Sequence, residues 1–292
     1  MSREPYHELK ARQRIAAIAD TDSFREILPP PERLMSTYLP QLGIPVSFDD
    51  GLAIGHATIG GTPVYLAAQV GQFVGGSVGE VHSAKLVGLV KSAARDRIPC
   101  VLLVESGGVR LHEGSSGEIG IAEAIRAVFA CREAGVTTIA VIGSDIGAYG
   151  GMGILSSCCD FRVMTEHGRI GISGPIVIEK WMGKNVYDSS DRGLVWKISG
   201  GKTRFILGDA EVLVDESAGA VRDGILSLLG KSAPLDAAAL SARQTALEQR
   251  VEKFGTATHP DEIWAAAGIT DVAIATLDTA EDFKATLPKT AP

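Results

Sequence analysis

Apolar and polar positions change their spacing several times along this chain, and each change marks an element. Between residues 7 and 19, Leu9, Ile15, Ala16 and Ile18 share one side of a charged segment, which predicts a helix closed by the polar run Asp20 to Ser23. PPPER at 29 to 33 predicts a second short helix, since proline is tolerated in a first turn. After Pro45, LAIGHATI and TPVYLAAQV flank Gly60-Gly61, the pattern of a two-stranded hairpin. The chain then alternates strand, glycine-rich loop and helix, with strands at VYLAAQ, 99 to 105 and 137 to 143 and helices near 79 to 95, 117 to 134 and 150 to 157. Strands apolar throughout are covered on both faces, so an α/β fold with a parallel sheet is expected. DFRVMT and GRIGIS, between 160 and 173, read as two further strands, and the Ala-rich polar sequence beyond 231 reads as a peripheral helical extension ending in a frayed KTAP. The resulting division is an N-terminal helical arm at 1–42, a core at 43–230 and a C-terminal helical extension at 231–292.

Composition narrows the class. At 45% hydrophobic and 22% charged residues, the chain has enough apolar surface to offset its conformational entropy, which excludes a disordered protein. The net charge of −7 and the lack of a basic block argue against nucleic acid. The opening MSREPYHELKARQR has no apolar stretch and no run approaches a membrane span, so a cytoplasmic protein is expected. Cys100, Cys131, Cys158 and Cys159 show neither zinc-ribbon nor disulfide spacing; buried thiols and no metal are expected. Glycine stands out, at 34 of 292 residues. So much glycine implies tight turns or close backbone approach.

Three glycine clusters sit where a strand hands over to a helix: QFVGGSVG at 72 to 79, ESGGVRLHEG at 105 to 114 and SDIGAYGGMG at 144 to 153. Unpaired N–H groups and a helix N-terminus there suit an anion, while turn formation is the structural alternative. Familiar nucleotide motifs fail. GGKT at 200 to 203 would need glycine where Trp196 stands, and GAYGGMG lacks the dinucleotide spacing. Gly75-Gly76-Ser77-Val78-Gly79 is formally a nucleophile elbow, which would make Ser77 the nucleophile of a serine hydrolase; otherwise Ser77 caps a helix starting at Val78.

GGSVG ahead of a helix, SGGVR, and GAYGGMGILSSCCDFRV resemble, in order and spacing, the carboxyltransferase branch of the crotonase superfamily, and RIAAIADTDSFREI resembles the helix and turn that open its subunits. The resemblance implies a crotonase-like ββα superhelical fold. No four-cysteine ribbon is present, and no Met-Lys dipeptide that would accept biotin. With room for one crotonase-like domain, the chain most resembles the β subunits of malonate decarboxylases, one-domain members that work with a γ subunit.

The resemblance implies decarboxylation of a malonyl thioester, carried on the CoA-like, phosphopantetheine-type prosthetic group of an acyl-carrier subunit, through an oxyanion-stabilised enolate. It assigns the oxyanion donors to Gly107/Gly108 and Gly150/Gly151, and binding of the prosthetic group and its acyl chain to Gly75, Gly76, Ser77, Ser173 and Gly174. A carboxyltransferase passing CO₂ to a biotin protein shares these motifs. Arg110 reads as structural, because a strong grip on the departing carboxylate would favour the ground state. His112 and Tyr149 are candidate proton donors or hydrogen-bonded structural residues. His82 and Lys85 read as a phosphate contact or a solvated face, and Glu105 as the close of a strand. Trp181 and Trp196 read as interface or core anchors, and GKNVYDSSDRG as a mobile polar loop.

Overall fold

The structure, a computed structural model, describes residues 5–288, so the KTAP terminus lies outside the described residues. A short helix α1 (Ala11–Ile18) leads to β1 (Arg25–Ile27), then the hairpin β2 (Leu52–Ile59) and β3 (Thr62–Gln69). Gly60 and Gly61 both have positive φ, 58° and 76°, as a two-residue turn matching the strand twist requires. Next come α2 (Glu80–Asp96), β4 (Cys100–Val104), α3 (Ser116–Glu133), β5 (Thr138–Ile142), α4 (Gly151–Cys158) and β6 (Phe161–Thr165). Helices α5 (Pro175–Met182), α6 (Arg192–Ser199) and α7 (Gly201–Ile206) precede β7 (Val212–Val214) and α8 (Ala218–Leu226). Four more follow, α9 (Ala237–Phe254), α10 (Pro260–Ala266), α11 (Val272–Leu277) and α12 (Ala280–Thr286).

The seven strands lie in sequence order in one sheet, antiparallel from β1 to β3 and parallel from β3 to β7. Strand alternation divides the core. Tyr65, Ala67, Leu102, Val104, Ala140 and Ile142 face α2, α3 and α4, whereas Leu66, Val101, Leu103, Ile139 and Val141 face Ile15 and Ile18 of α1 and Val221 and Ile225 of α8. A third cluster joins Ile206 and Leu213 to Trp264 and Phe283.

The expectations at the ends of elements need correction. PPPER forms only a 3₁₀ turn, Pro30–Glu32, and the first helix is shorter than 7 to 19 because Pro5 and a 3₁₀ turn at Tyr6–Glu8 precede it. GRIGIS is not a strand: Arg169 and Ile170 each make one isolated bridge, to Gly200 and Ala148. These bridges belong to a second ladder. Val78 pairs with Val109, Ser106 with Ala148 and Ala148 with Ile170, so the loops beyond the parallel strands are laced together by backbone hydrogen bonds.

Candidate active site

This ladder gathers the glycine clusters. The Gly107 N–H donates to the Gly75 carbonyl at 2.9 Å, the Gly150 N–H to the Ile172 carbonyl at 3.0 Å, and the Ser106 N–H to the Gly147 carbonyl at 2.8 Å. Gly108 and Gly150 abut so closely that a Cβ on Gly150 would lie 3.0 Å from the Gly108 Cα. Gly150 also has φ 58° and ψ −134°, a conformation closed to L side chains. Glycine is required at that contact on both counts.

Within the two candidate oxyanion pairs, the N–H groups differ in what they bind. Those of Gly107 and Gly150 are spent on Gly75 and Ile172, and that of Gly108 reaches Ser106 Oγ at 3.2 Å. The Gly151 N–H, in the first position of α4, has no protein acceptor among the described residues. Sequence reasoning missed Val109. Val78 bonds to its neighbours on both sides, Gly108 O and Arg110 N, so the Val109 N–H faces away from Val78, and it has no protein acceptor among the described residues either. Its nitrogen lies 3.8 Å from the Cβ position at Gly150, beside the contact between the loops. Residue type carries no signal for such a donor; only the phase of the bridge reveals it.

The candidate cofactor-binding residues lie on the same loops. Gly75 is exposed, and Gly76 is buried with its Cα hydrogens against the Glu105 carbonyl. Ser77 is buried, but its hydroxyl makes no hydrogen bond. It does not cap α2, which begins at Glu80 behind Gly79, and it has no hydrogen-bonded base to activate it as a nucleophile. Ser173 and Gly174 follow Ile172, with Gly174 at the N-cap of α5 and Pro175 in its first turn.

Charged side chains form the floor beneath the loops. Arg110 is fully buried, donating to both carboxylate oxygens of Asp50 at 3.0 and 3.1 Å, to Glu113 at 3.0 Å and to the Ser77 carbonyl at 3.1 Å. It therefore fixes the loops and does not face a substrate. Burial raises the Asp50 pKa despite Arg110; at Glu113 burial is outweighed by bonds from Ser36, the Glu80 N–H and Arg110, leaving its pKa lowered.

His82 and Lys85 are buried, contrary to the solvated face or phosphate contact expected of them. Their side of α2 packs on β2 and β3, where Lys85 Nζ donates to the carbonyls of Asp49 and Leu52 and His82 meets Gln69. Burial first, then Arg110 and Lys85, push the His82 pKa down to about 3. Glu105 does more than end a strand: it accepts from Arg14 of α1, tying the arm to the floor, while burial raises its pKa.

Of the candidate proton donors, His112 is exposed, whereas Tyr149 is buried with its hydroxyl 3.5 Å from Ser199. Cys100, Cys131 and Cys159 are buried and Cys158 is half-buried; burial pushes the thiols of Cys131 and Cys159 up to about 12. Trp181 is no core anchor, being 85% exposed on α5. In the GKNVYDSSDRG segment Tyr187 is buried and Ser189 bonds Glu179, so this loop is anchored to the fold.

Comparison with known proteins gives this geometry a context. A model of the carboxyl transferase domain matches residues 4–211. The malonyl-S-ACP:biotin-protein carboxyltransferase MADC of Malonomonas rubra is 35% identical over 284 residues, covering 89% of this chain and 88% of the relative. A chain of a Pseudomonas malonate decarboxylase hetero-tetramer, crystallised with malonate, is 35% identical with a TM-score of 0.82, over 90% of this chain and 97% of that one. A chain of the Pseudomonas MdcD-MdcE hetero-dimer is 32% identical with a TM-score of 0.67, over 85% and 99%. No helix among the described residues is long and apolar enough to cross a membrane. With its crotonase-like α/β fold and glycine loops laced together beyond a parallel sheet, the chain belongs to the carboxyl transferase domain family.

Proposed function

We propose that this chain is a malonate decarboxylase subunit that removes CO₂ from a malonyl thioester held on the CoA-like prosthetic group of an acyl-carrier subunit. The observation that carries the reading is the end-to-end likeness to a chain of the Pseudomonas hetero-tetramer, 97% of which is covered. Its partner is a sister crotonase-like γ subunit. Leu111, Ile172 and Trp181, 76%, 75% and 85% exposed on the site loops and α5, supply an apolar surface for it.

The thioester oxygen is received by the N–H groups of Gly151 and Val109, which meet no acceptor among the described residues. As the bond between the methylene and the carboxylate breaks, its electron pair moves toward the thioester carbonyl and CO₂ leaves. The resulting enolate oxygen carries the charge those two donors stabilise, and a proton added at carbon yields the acetyl thioester. Donors fixed by the bridge ladder need no reorganisation, and losing one such donor typically costs about 2.7–4 kcal/mol in the barrier. Arg110, buried on Asp50 and Glu113, is not free to grip the substrate carboxylate, so it adds no salt bridge that would favour the ground state.

A second reading is favoured by the Malonomonas rubra relative, whose name specifies a biotin protein as carboxyl acceptor. Avidin separates the two. In a complex reconstituted with the γ subunit, a malonyl-loaded carrier and a biotin-bearing acceptor protein, the decarboxylase releases CO₂ and forms acetyl thioester at the same rate with and without avidin. Inhibition by avidin establishes the second reading. No consumption of malonyl thioester by the complete complex overturns both.

A further inference from the structure

Away from the glycine loops, three side chains from distant parts of the chain converge. His7 from the arm, His167 beyond β6 and Glu216 between β7 and α8 have ligand atoms all within 4.8 Å of one another. The Nδ1 of His7 lies 3.1 Å from Glu216 Oε2, and the Nδ1 of His167 lies 3.0 Å from Glu216 Oε1. Both imidazoles thus present the same nitrogen to opposite oxygens of one carboxylate. That of His167 is buried and lacks hydrogen-bond geometry, so its contact with Glu216 leaves it unsatisfied.

We propose that His7, His167 and Glu216 form a binding site for a divalent transition-metal cation of the zinc type. Two imidazoles and a carboxylate are a donor set that zinc accepts, with water in the fourth position. Bonds of about 2.0–2.1 Å in a tetrahedral arrangement separate ligand atoms by about 3.3–3.4 Å. The ligand atoms lie up to 4.8 Å apart, so closing the site means drawing the widest pair together by about 1–1.5 Å while each imidazole backs off the carboxylate by a few tenths of an ångström. All three side chains are half-buried, within reach of water yet oriented by the fold.

Second contacts hold the ligands. The Glu216 carboxylate accepts the His167 backbone N–H at 2.7 Å, the Glu216 carbonyl accepts the Tyr6 backbone N–H at 2.9 Å, and Trp196 stands edge-on to His167 with ring centroids 4.8 Å apart. Glu166 and Arg169 flank His167 with opposite charges. Filling the site would pin the N-terminal arm to the loops after β6 and β7, and the loop after β6 carries Arg169 and Ile170 of the bridge ladder. The site is independent of the decarboxylation reading and stands or falls without it.

The test uses the untagged full-length chain, stripped of metal by chelator and titrated with zinc chloride by calorimetry and with cobalt(II) by visible absorption. The expected result is one equivalent bound, a low-coordinate cobalt spectrum and a higher melting temperature. His7→Gln and His167→Gln should each weaken binding at least tenfold. His7→Gln removes a ligand from a half-buried position on the arm, so it should remain folded, as circular dichroism would verify. Absence of stoichiometric binding by the wild type would reduce the cluster to a hydrogen-bonded strut. Binding unchanged in both variants would place the cation elsewhere; either outcome overturns the proposal.

Discussion

The floor of the glycine loops and their rim are built in opposite ways. Under the loops lie Asp50, His82, Lys85, Glu105, Arg110 and Glu113, all buried, while Leu111, Ile172, Ile176 and Trp181 stand exposed on the loops and on α5. The body of the sheet keeps the usual order, with apolar residues on both of its faces. The inversion separates two tasks. A floor of paired charges fixes the direction of backbone groups that side-chain packing alone would leave loose, and an apolar rim offers surface to another chain.

Breaking the floor should have the larger effect. Arg110→Ala leaves Asp50 and Glu113 facing each other in a buried space, and removing one partner of such a network typically costs about 3–5 kcal/mol. Urea unfolding checks this, and a loss below about 1 kcal/mol would mean that the network does not hold the loops. Over any single pH unit, His82 has a smaller effect. Its imidazole stays neutral in the folded chain down to about pH 3, whereas the unfolded imidazole takes up a proton near pH 6.5. The depressed folded pKa means that His82 favours folding above about pH 6.5 and loses that contribution as pH falls toward 3. The slope is at most about 1.4 kcal/mol per pH unit. His82→Gln should flatten this part of the stability profile relative to wild type; an identical slope would show that His82 does not contribute.

The rim should respond least in the isolated chain. Trp181→Ser removes an exposed side chain, so unfolding should change by no more than about 0.5 kcal/mol. Binding of the γ subunit should nevertheless weaken at least tenfold, about 1.4 kcal/mol, as expected for a tryptophan anchor. Unchanged affinity would move the interface away from α5.

The same contrast explains what the sequence could reveal. The β2–β3 hairpin was legible because Gly60-Gly61 is a local signal, and the continuous strands β4 and β5 because both faces are covered. The three-residue strands β1 and β7 escaped notice, being defined by pairing with β2 and β6 more than by their own pattern. His82 and Lys85 were misread because charge suggests solvent, whereas here the partners are a glutamine and backbone carbonyls from a distant turn. The convergence of the glycine clusters was foreshadowed by their shared position at strand ends. Val109 was not, since a peptide N–H looks the same for every residue but proline. The cluster of His7, His167 and Glu216 spans separations of 209 and 49 positions, beyond any spacing motif.

The central claim is that backbone N–H groups at the junction of two glycine loops hold the reacting oxygen. Gly151 allows that claim to be tested by removing one N–H donor. It occupies the first position of α4, where the proline backbone is accepted and the ring Cδ replaces the N–H hydrogen. Any side chain there meets Ile121, with a Cβ 2.8 Å from its Cγ1, so Gly151→Ala carries the same contact while keeping the donor. The measurement is the turnover of malonyl thioester by reconstituted complexes containing Gly151→Pro or Gly151→Ala, each checked for folding and assembly. Turnover of the proline variant about 10²–10³-fold below that of the alanine variant is the expected result. Equal rates in two assembled complexes would contradict the claim.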